Sequence, residues 1–186
     1  MNNSYLKNWI QEAQEVPSKV EELFQLITEE ELNNRPREGK WSIGELIDHI
    51  IVTNSLYFPK YEKILAGNHR NPFTSRFSYV TNFLGKSILH SVDPDNKKKL
   101  KTVRKFEPRQ QEFTLNKLDE FKKHHDSLIE LVKASDAINH QKTYITSPAS
   151  PLIVYSLEYA NKIILWHELR HIQQASELVE TKKLKA

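Results

Sequence analysis

Ser42-Ile43-Gly44-Glu45-Leu46-Ile47-Asp48-His49-Ile50-Ile51 carries the clearest helix start in the chain. Ser42 and Glu45 have the spacing of a capping box, in which each side chain serves the other's backbone N–H. Ile43, Leu46, Ile47, Ile50, Ile51, Asn54, Tyr57, Phe58 and Tyr61 then recur at helical period. The spacing predicts a helix to about Ala66, stopped by Gly67-Asn68 and bent at Pro59. Upstream, Leu6, Trp9, Ile10, Ala13, Val16, Val20, Leu23, Phe24 and Ile27 form a first amphipathic stretch, which Pro17 either kinks or divides. Thr28 and Glu31 repeat the capping-box spacing and predict a short turn of helix. Downstream, residues 67–112 are irregular, with a short helix near Tyr79–His90, a turn at Pro94, a basic run and Pro108. Helical period returns from Thr114 to about Ala134–Asp136. The last helix is expected over Pro151–Val179, after the breaker Ser147-Pro148-Ala149-Ser150-Pro151. Thr143-Tyr144-Ile145-Thr146 is the one strand candidate. The expectation is an all-α chain: a four-helix up-and-down bundle with a long crossover connection, one domain over residues 1–186.

Composition agrees. Four glycines in 186 residues, against a usual share of about 7%, argue against Gly-rich phosphate loops and turn-rich β architectures. The absence of cysteine excludes disulfides, thiolate-ligated zinc, iron–sulfur clusters and a thiol nucleophile. No apolar run approaches the length of a membrane span, and Met1–Ile10 lacks a signal-peptide core, so a cytoplasmic protein is expected. A net charge of +3 does not point to nucleic acid. Lys97, Lys98, Lys99, Lys101, Arg104 and Lys105 crowd one segment, but no aromatic platform accompanies them, and a solvated loop is the reading adopted.

The chemistry concentrates in His167-Glu168-Leu169-Arg170-His171. Residues i and i+4 lie about 40° apart around a helix, so both imidazoles leave one face and can grip one ion. Both fall within the apolar stripe of the last helix. H-E-x-x-H also matches the zincin pattern with Glu168 as base, but that chemistry needs a third ligand downstream, and the residues after His171 contain no histidine. His49, on the flank of the second helix's stripe, is the best third ligand. A three-histidine site leaves coordination positions open, the catalytic arrangement. With N and O donors alone, Zn²⁺, Ni²⁺ and Fe²⁺ all fit. Glu168 is a candidate base or a carboxylate supporting the ligands. Arg170 either orients an anionic substrate or pairs with a carboxylate. His125, centred on the third helix's stripe, is either a core histidine bonded to backbone, a hydrogen-bond donor supporting the ligands, or a catalytic contact to the substrate. His124 reads as solvated, His69, His90 and His140 as surface residues, and Trp41 as a packing residue at the helix entry. The competing class is a non-catalytic bundle that binds metal or ligand structurally.

Lys40-Trp41-Ser42-Ile43-Gly44-Glu45-Leu46-Ile47-Asp48-His49-Ile50 resembles the K-W-S-x-x-E-h-h-x-H-h opening of helix two in DinB/YfiT-like proteins. His167-Glu168-Leu169-Arg170-His171-Ile172-Gln173-Gln174 resembles that family's H-E-x-x-H-h-x-Q segment in helix four, and Lys105-Phe106-Glu107-Pro108 with Phe121–Leu131 is similar to its third-helix region. The resemblance implies a bundle binding Zn²⁺ or Ni²⁺ through His49, His167 and His171. It implies activity on a small molecule, as a hydrolase or as a transferase of a low-molecular-weight thiol such as bacillithiol or mycothiol, and a homodimer. The lysine-rich crossover departs from the family pattern.

Overall fold

The computed structural model describes residues 1–96, 98 and 101–183, with the backbone alone at 182–183. Lys97 and Lys99 of the basic run, with Leu100, lie outside the described residues. Among the described residues seven α-helices form: α1 (Leu6–Phe24), α2 (Glu29–Asn33), α3 (Ile43–Ser55), α4 (Phe58–Leu65), α5 (Ser78–Ser91), α6 (Lys117–Ala134) and α7 (Leu157–Lys183). Single 3₁₀ turns lie at Phe73–Arg76, Arg104–Phe106 and Ser135–Ala137.

Both capping boxes are present, at Thr28 with Glu31 and at Ser42 with Glu45. The second helical stretch divides at Leu56-Tyr57, because Pro59 can occupy only the first turn of a new helix, α4. Gly67, at φ 69°, then ends α4 in a left-handed conformation. By contrast, α1 runs unbroken through Pro17. A proline there removes the N–H that would bond to the carbonyl of Ala13, and that oxygen instead accepts from His125 Nε2 at 2.8 Å.

The four long helices α1, α3, α6 and α7 make the bundle. Each of α1 and α3 packs mainly on α6 and α7, so α1 lies diagonally across from α3 and α6 from α7, while α3 and α6 are neighbours. The core they enclose runs from Leu6, Trp9 and Ala13 through Ile47 and Ile50 to Phe121, Leu128, Ile164 and Ala175. The connection from α4 to α6 carries α5 across to α7, where Gly85 meets the ring of Tyr159.

The last helix starts at Leu157, later than the expected Pro151. Residues Val154–Ser156 form β2, antiparallel to β1 (Tyr144–Thr146), with Ile145 opposite Tyr155. Two prolines and the β-branched pair Ile153-Val154 favour extended backbone here, and Ser147 N–H closes the hairpin on Ile153 O at 2.7 Å. Among the described residues, no helix is long and apolar enough to cross a membrane.

Candidate metal centre

Three contacts in order along α3 and α7 show that the two helices run antiparallel. Trp41, just before α3, lies beside His171 (ring centroids 6.2 Å), His49 faces His167, and beyond the end of α3 the hydroxyls of Tyr57 and Tyr155 meet at 2.9 Å. This pairing brings the one histidine of α3 onto the i, i+4 pair of α7. His49 Nε2 and His171 Nε2 each lie 3.1 Å from His167 Nε2. One ligand atom from each ring falls within 4.8 Å of the others.

The outer nitrogens explain why the inner ones carry lone pairs. His49 Nδ1–H donates to the Phe106 carbonyl at 2.5 Å, and His171 Nδ1–H donates to Gln174 Oε1 at 2.9 Å. In neutral rings so arranged, both Nε2 atoms are acceptors. His167 Nε2–H could serve only one of them, and His167 Nδ1 is buried without a partner. Three acceptor nitrogens facing one point fit a cation better than they fit each other. Two nitrogens held about 2.0–2.1 Å from one tetrahedral ion would sit about 3.3 Å apart, close to the observed spacing. Burial pushes His49 down to about 4, despite the Phe106 carbonyl and the Asp48 charge. Burial, then the neighbouring rings and the Arg170 charge, holds His167 well below the ordinary value, and burial also dominates at His171. Near neutral pH all three are therefore uncharged donors.

The nitrogens open on a cavity of about 1430 Å³ between α3, α7 and the crossover, walled by Trp41, Tyr57, Ile88, Phe106, Ile163 and Arg170 among others. Trp41 packs at 4.6 Å, centroid to centroid, on the His49 ring. Asp48, fully buried, fixes the far side. It accepts from the Arg109 backbone N–H at 2.7 Å and from Lys117 Nζ at 2.8 Å, and it pairs with the Arg109 guanidinium. These bonds tie the segment after Phe106 to α3 and so hold the Phe106 carbonyl over His49.

Glu168 turns into the bundle and does not line the cavity. Its Oε1 accepts from Asn54 Nδ2 at 2.7 Å and from His125 Nδ1 at 3.1 Å, while Oε2 has no partner. His125, with its second N–H on Ala13 O, is a backbone-bonded core residue that also touches the helix carrying His167 and His171, and it does not line the cavity. Among the described residues Arg170 pairs with no carboxylate. It donates to three crossover carbonyls: Asp93 at 2.7 Å, Lys98 at 2.8 Å, and Asn96. His90 is exposed as expected, and His69 is half-buried on the Tyr144 carbonyl. His140 is not a surface residue. It is fully buried, donating to Ser135 O and accepting from Tyr5 OH at 2.6 Å, because the Ser135–Ala137 turn folds it back under α1. His124 is likewise half-buried, stacked on Phe58 at 4.8 Å. Asp48, Asn54 and Gln174 are the polar residues to which the sequence reading assigned no role; the signals available were the Q of the H-E-x-x-H-h-x-Q segment and, for Asp48 and Asn54, polar positions within a helix buried almost throughout.

Comparison with known proteins accords with this arrangement. No curated protein sequence matches the chain. Among solved structures, YfiT from Bacillus subtilis, described as a probable metal-dependent hydrolase with an unusual four-helix bundle topology, superposes with a TM-score of 0.62. The two share 16% identity, and the match covers 98% of this chain and 90% of YfiT. The sequence profile of the DinB superfamily matches residues 12–175, most of the chain, and the chain belongs to that superfamily.

Proposed function

We propose that this protein is a divalent-metal-dependent enzyme acting on a small molecule, as a hydrolase or as a transferase of a low-molecular-weight thiol, with His49, His167 and His171 as ligands to Zn²⁺ or Ni²⁺, or to Fe²⁺. The observation that carries the reading is the convergence of three neutral Nε2 atoms on the wall of a cavity large enough for an organic substrate. A divalent ion in such a place supplies Lewis acidity, lowering the pKa of a coordinating water or thiol. The description of YfiT favours hydrolysis.

The chain's own residues do the positioning. Phe106 O and Gln174 hold two of the ligand rings in the tautomer that points Nε2 inward. Trp41 covers the His49 face and excludes water from one side of the site. Glu168 and His125 anchor α7 to α1, α3 and α6 from within, which sets the rotation of α7 and with it the direction of His167 and His171.

The test is metal content of protein purified without chelator: about one ion per chain in the wild type, lost in His49→Ala, His167→Ala and His171→Ala. A wild type that takes up no Zn²⁺ or Ni²⁺ ends the proposal. Chelation separates a catalytic ion from a structural one. The apolar core spans all four long helices, so a catalytic ion predicts retained helicity and a small fall in melting temperature, and a structural one predicts gross unfolding.

We also propose a homodimer. Tyr79, Val80 and Phe83 lie within about 100° of one another around α5, and Phe73 packs edge-on to Phe77 just before it. These five are 48–85% exposed. At about 150–250 Å² per aromatic side chain they present roughly 600 Å². A two-fold contact would bury about 1,200 Å², the lower bound for a stable interface.

A further inference from the structure

Arg170 is only 7% exposed, yet all its hydrogen bonds end on neutral carbonyl oxygens. Among the described residues, no carboxylate lies within 4.0 Å of its guanidinium. A buried cation without a counter-ion is costly. Here it stands one residue from His171 and three from His167, close enough for its charge to act on both rings.

The nearby acids do not offset it. Asp48 is spent on Arg109 and Lys117, Glu45 on Arg35, and Glu168 on His125 and Asn54. Three neutral histidines would leave a divalent ion with its full charge, unlike a site that includes a carboxylate ligand. The cavity wall adds to the imbalance. At the rim Arg37 and Glu38 offset each other, but Lys40, Lys98, Lys101 and Arg170 face one acid, Glu177. Low-dielectric walls of one sign concentrate ligands of the other.

We propose that the substrate is a small organic anion, whose carboxylate or phosphate group is received by the wall of Lys40, Lys101 and Arg170 beside the histidine centre. The proposal rests on the metal-centre reading above and adds the chemical class of what binds there. Arg170 supplies field and holds the crossover in place. Lys40, just before α3, and Lys101, in the crossover, both line the cavity and supply the direct contacts. The volume of about 1430 Å³ exceeds what a bare inorganic ion needs, and the aromatic and aliphatic lining suits an apolar body behind the charged group.

Calorimetric titration of the full chain, with and without Zn²⁺, tests this using succinate, its neutral isostere succinamide, and inorganic phosphate. Succinate is expected to bind at least about tenfold tighter than succinamide, and to weaken as salt rises from about 20 to about 200 mM. Lys40→Gln and Lys101→Gln should each cost about threefold, and the double variant about tenfold, with unchanged circular dichroism. Succinate and phosphate separate the two oxyanion classes. Succinamide binding as well as succinate, or lysine variants that bind both anions like the wild type, overturns the proposal. Zinc content measured on the same samples reports the metal centre independently. The zinc-free titration puts the same question to the wall alone, where the preference for the anion should persist at lower affinity.

Discussion

Replacing His125 by Leu should cost far more stability than replacing its partner Glu168 by Gln, because only one member of the pair can shed its charge cheaply. His125 donates from both ring nitrogens, to Glu168 Oε1 at 3.1 Å and to Ala13 O at 2.8 Å, and both side chains are buried. In His125→Leu the Ala13 carbonyl loses its donor, and Pro17 has no N–H to replace it, a loss of about 1–3 kcal/mol. Glu168 is left as a buried carboxylate with Asn54 as its remaining donor, costing about 3–5 kcal/mol. The two losses overlap in part, and a total of roughly 4–6 kcal/mol approaches the whole stability of many domains. In Glu168→Gln the imidazole becomes neutral, keeps its bond to Ala13 and accepts from the new amide, for about 1–2 kcal/mol. Urea denaturation of metal-free protein at pH 6 measures both, the variant midpoints being compared at equal slope. A pH series adds a second check. Burial pushes the His125 pKa down, but the Glu168 charge, its hydrogen bond and the Ala13 carbonyl outweigh burial and raise it. The resulting stabilisation is complete below the ordinary histidine value of about 6.5 and is lost as pH rises through the folded-state pKa. The wild type should therefore lose its advantage over Glu168→Gln as pH rises above the ordinary histidine value. His125→Leu no less stable than Glu168→Gln at pH 6, or a gap that stays flat across the series, would show that the pair is not a charged one.

Three further outcomes are expected. Asp48→Asn strands the buried Lys117, whose other partner Glu120 lies nearer the surface, and should cost about 3 kcal/mol in urea denaturation. It should also weaken Zn²⁺ binding about 10–100-fold by freeing the Phe106 carbonyl. Burial raises the Asp48 pKa, but Arg109 and Lys117 hold it below the usual range. The gap to the variant should thus be complete above about pH 4 and close as pH falls through the folded value. Gly85→Ala would place a Cβ 2.7 Å from the Tyr159 ring, forcing α5 off α7, and a thermal melt should show a loss of about 1–3 kcal/mol. Sedimentation should give a dimer for the wild type and a monomer for Tyr79→Asp/Phe83→Asp; a wild-type monomer at micromolar concentration removes the dimer proposal.

The bundle was legible because its signal is collective. Dozens of apolar residues at period 3.6, two capping boxes and a scarcity of glycine all favour one architecture, and no single exception overrides them. The histidine cluster was legible for a different reason: i, i+4 spacing converts sequence into direction on a helix without any tertiary knowledge. What could not be read was whatever depended on a partner lacking a side-chain signature. The Phe106 carbonyl on His49, the crossover carbonyls on Arg170 and the Ser135 carbonyl on His140 are backbone atoms brought in from 57, 72–77 and 5 residues away. The three-residue β2 strand was hidden likewise, because its only cue was extended backbone after a proline, and the hairpin needed β1 to complete it.

The fate of Glu168 shows how the bundle alters the meaning of a motif. In H-E-x-x-H the glutamate stands about 100° around the helix from the first histidine. Where the opposite face of the helix is open, such a carboxylate can swing toward an ion. In α7 it cannot, because the helix packs on both α1 and α3, and a residue about 100° from His167 and 60° from His171 on that side points into the core. A carboxylate there needs a cation, and His125 on α6 provides one. A doubly protonated imidazole in turn needs a second acceptor, and Pro17 leaves the Ala13 carbonyl free for it. Residues on α1, α3, α6 and α7 are thus one polar unit whose members make sense only together. On this reading the motif contributes two ligands and the internal charge that fixes their helix, which leaves proton transfer at the centre to groups facing the cavity or to the substrate itself.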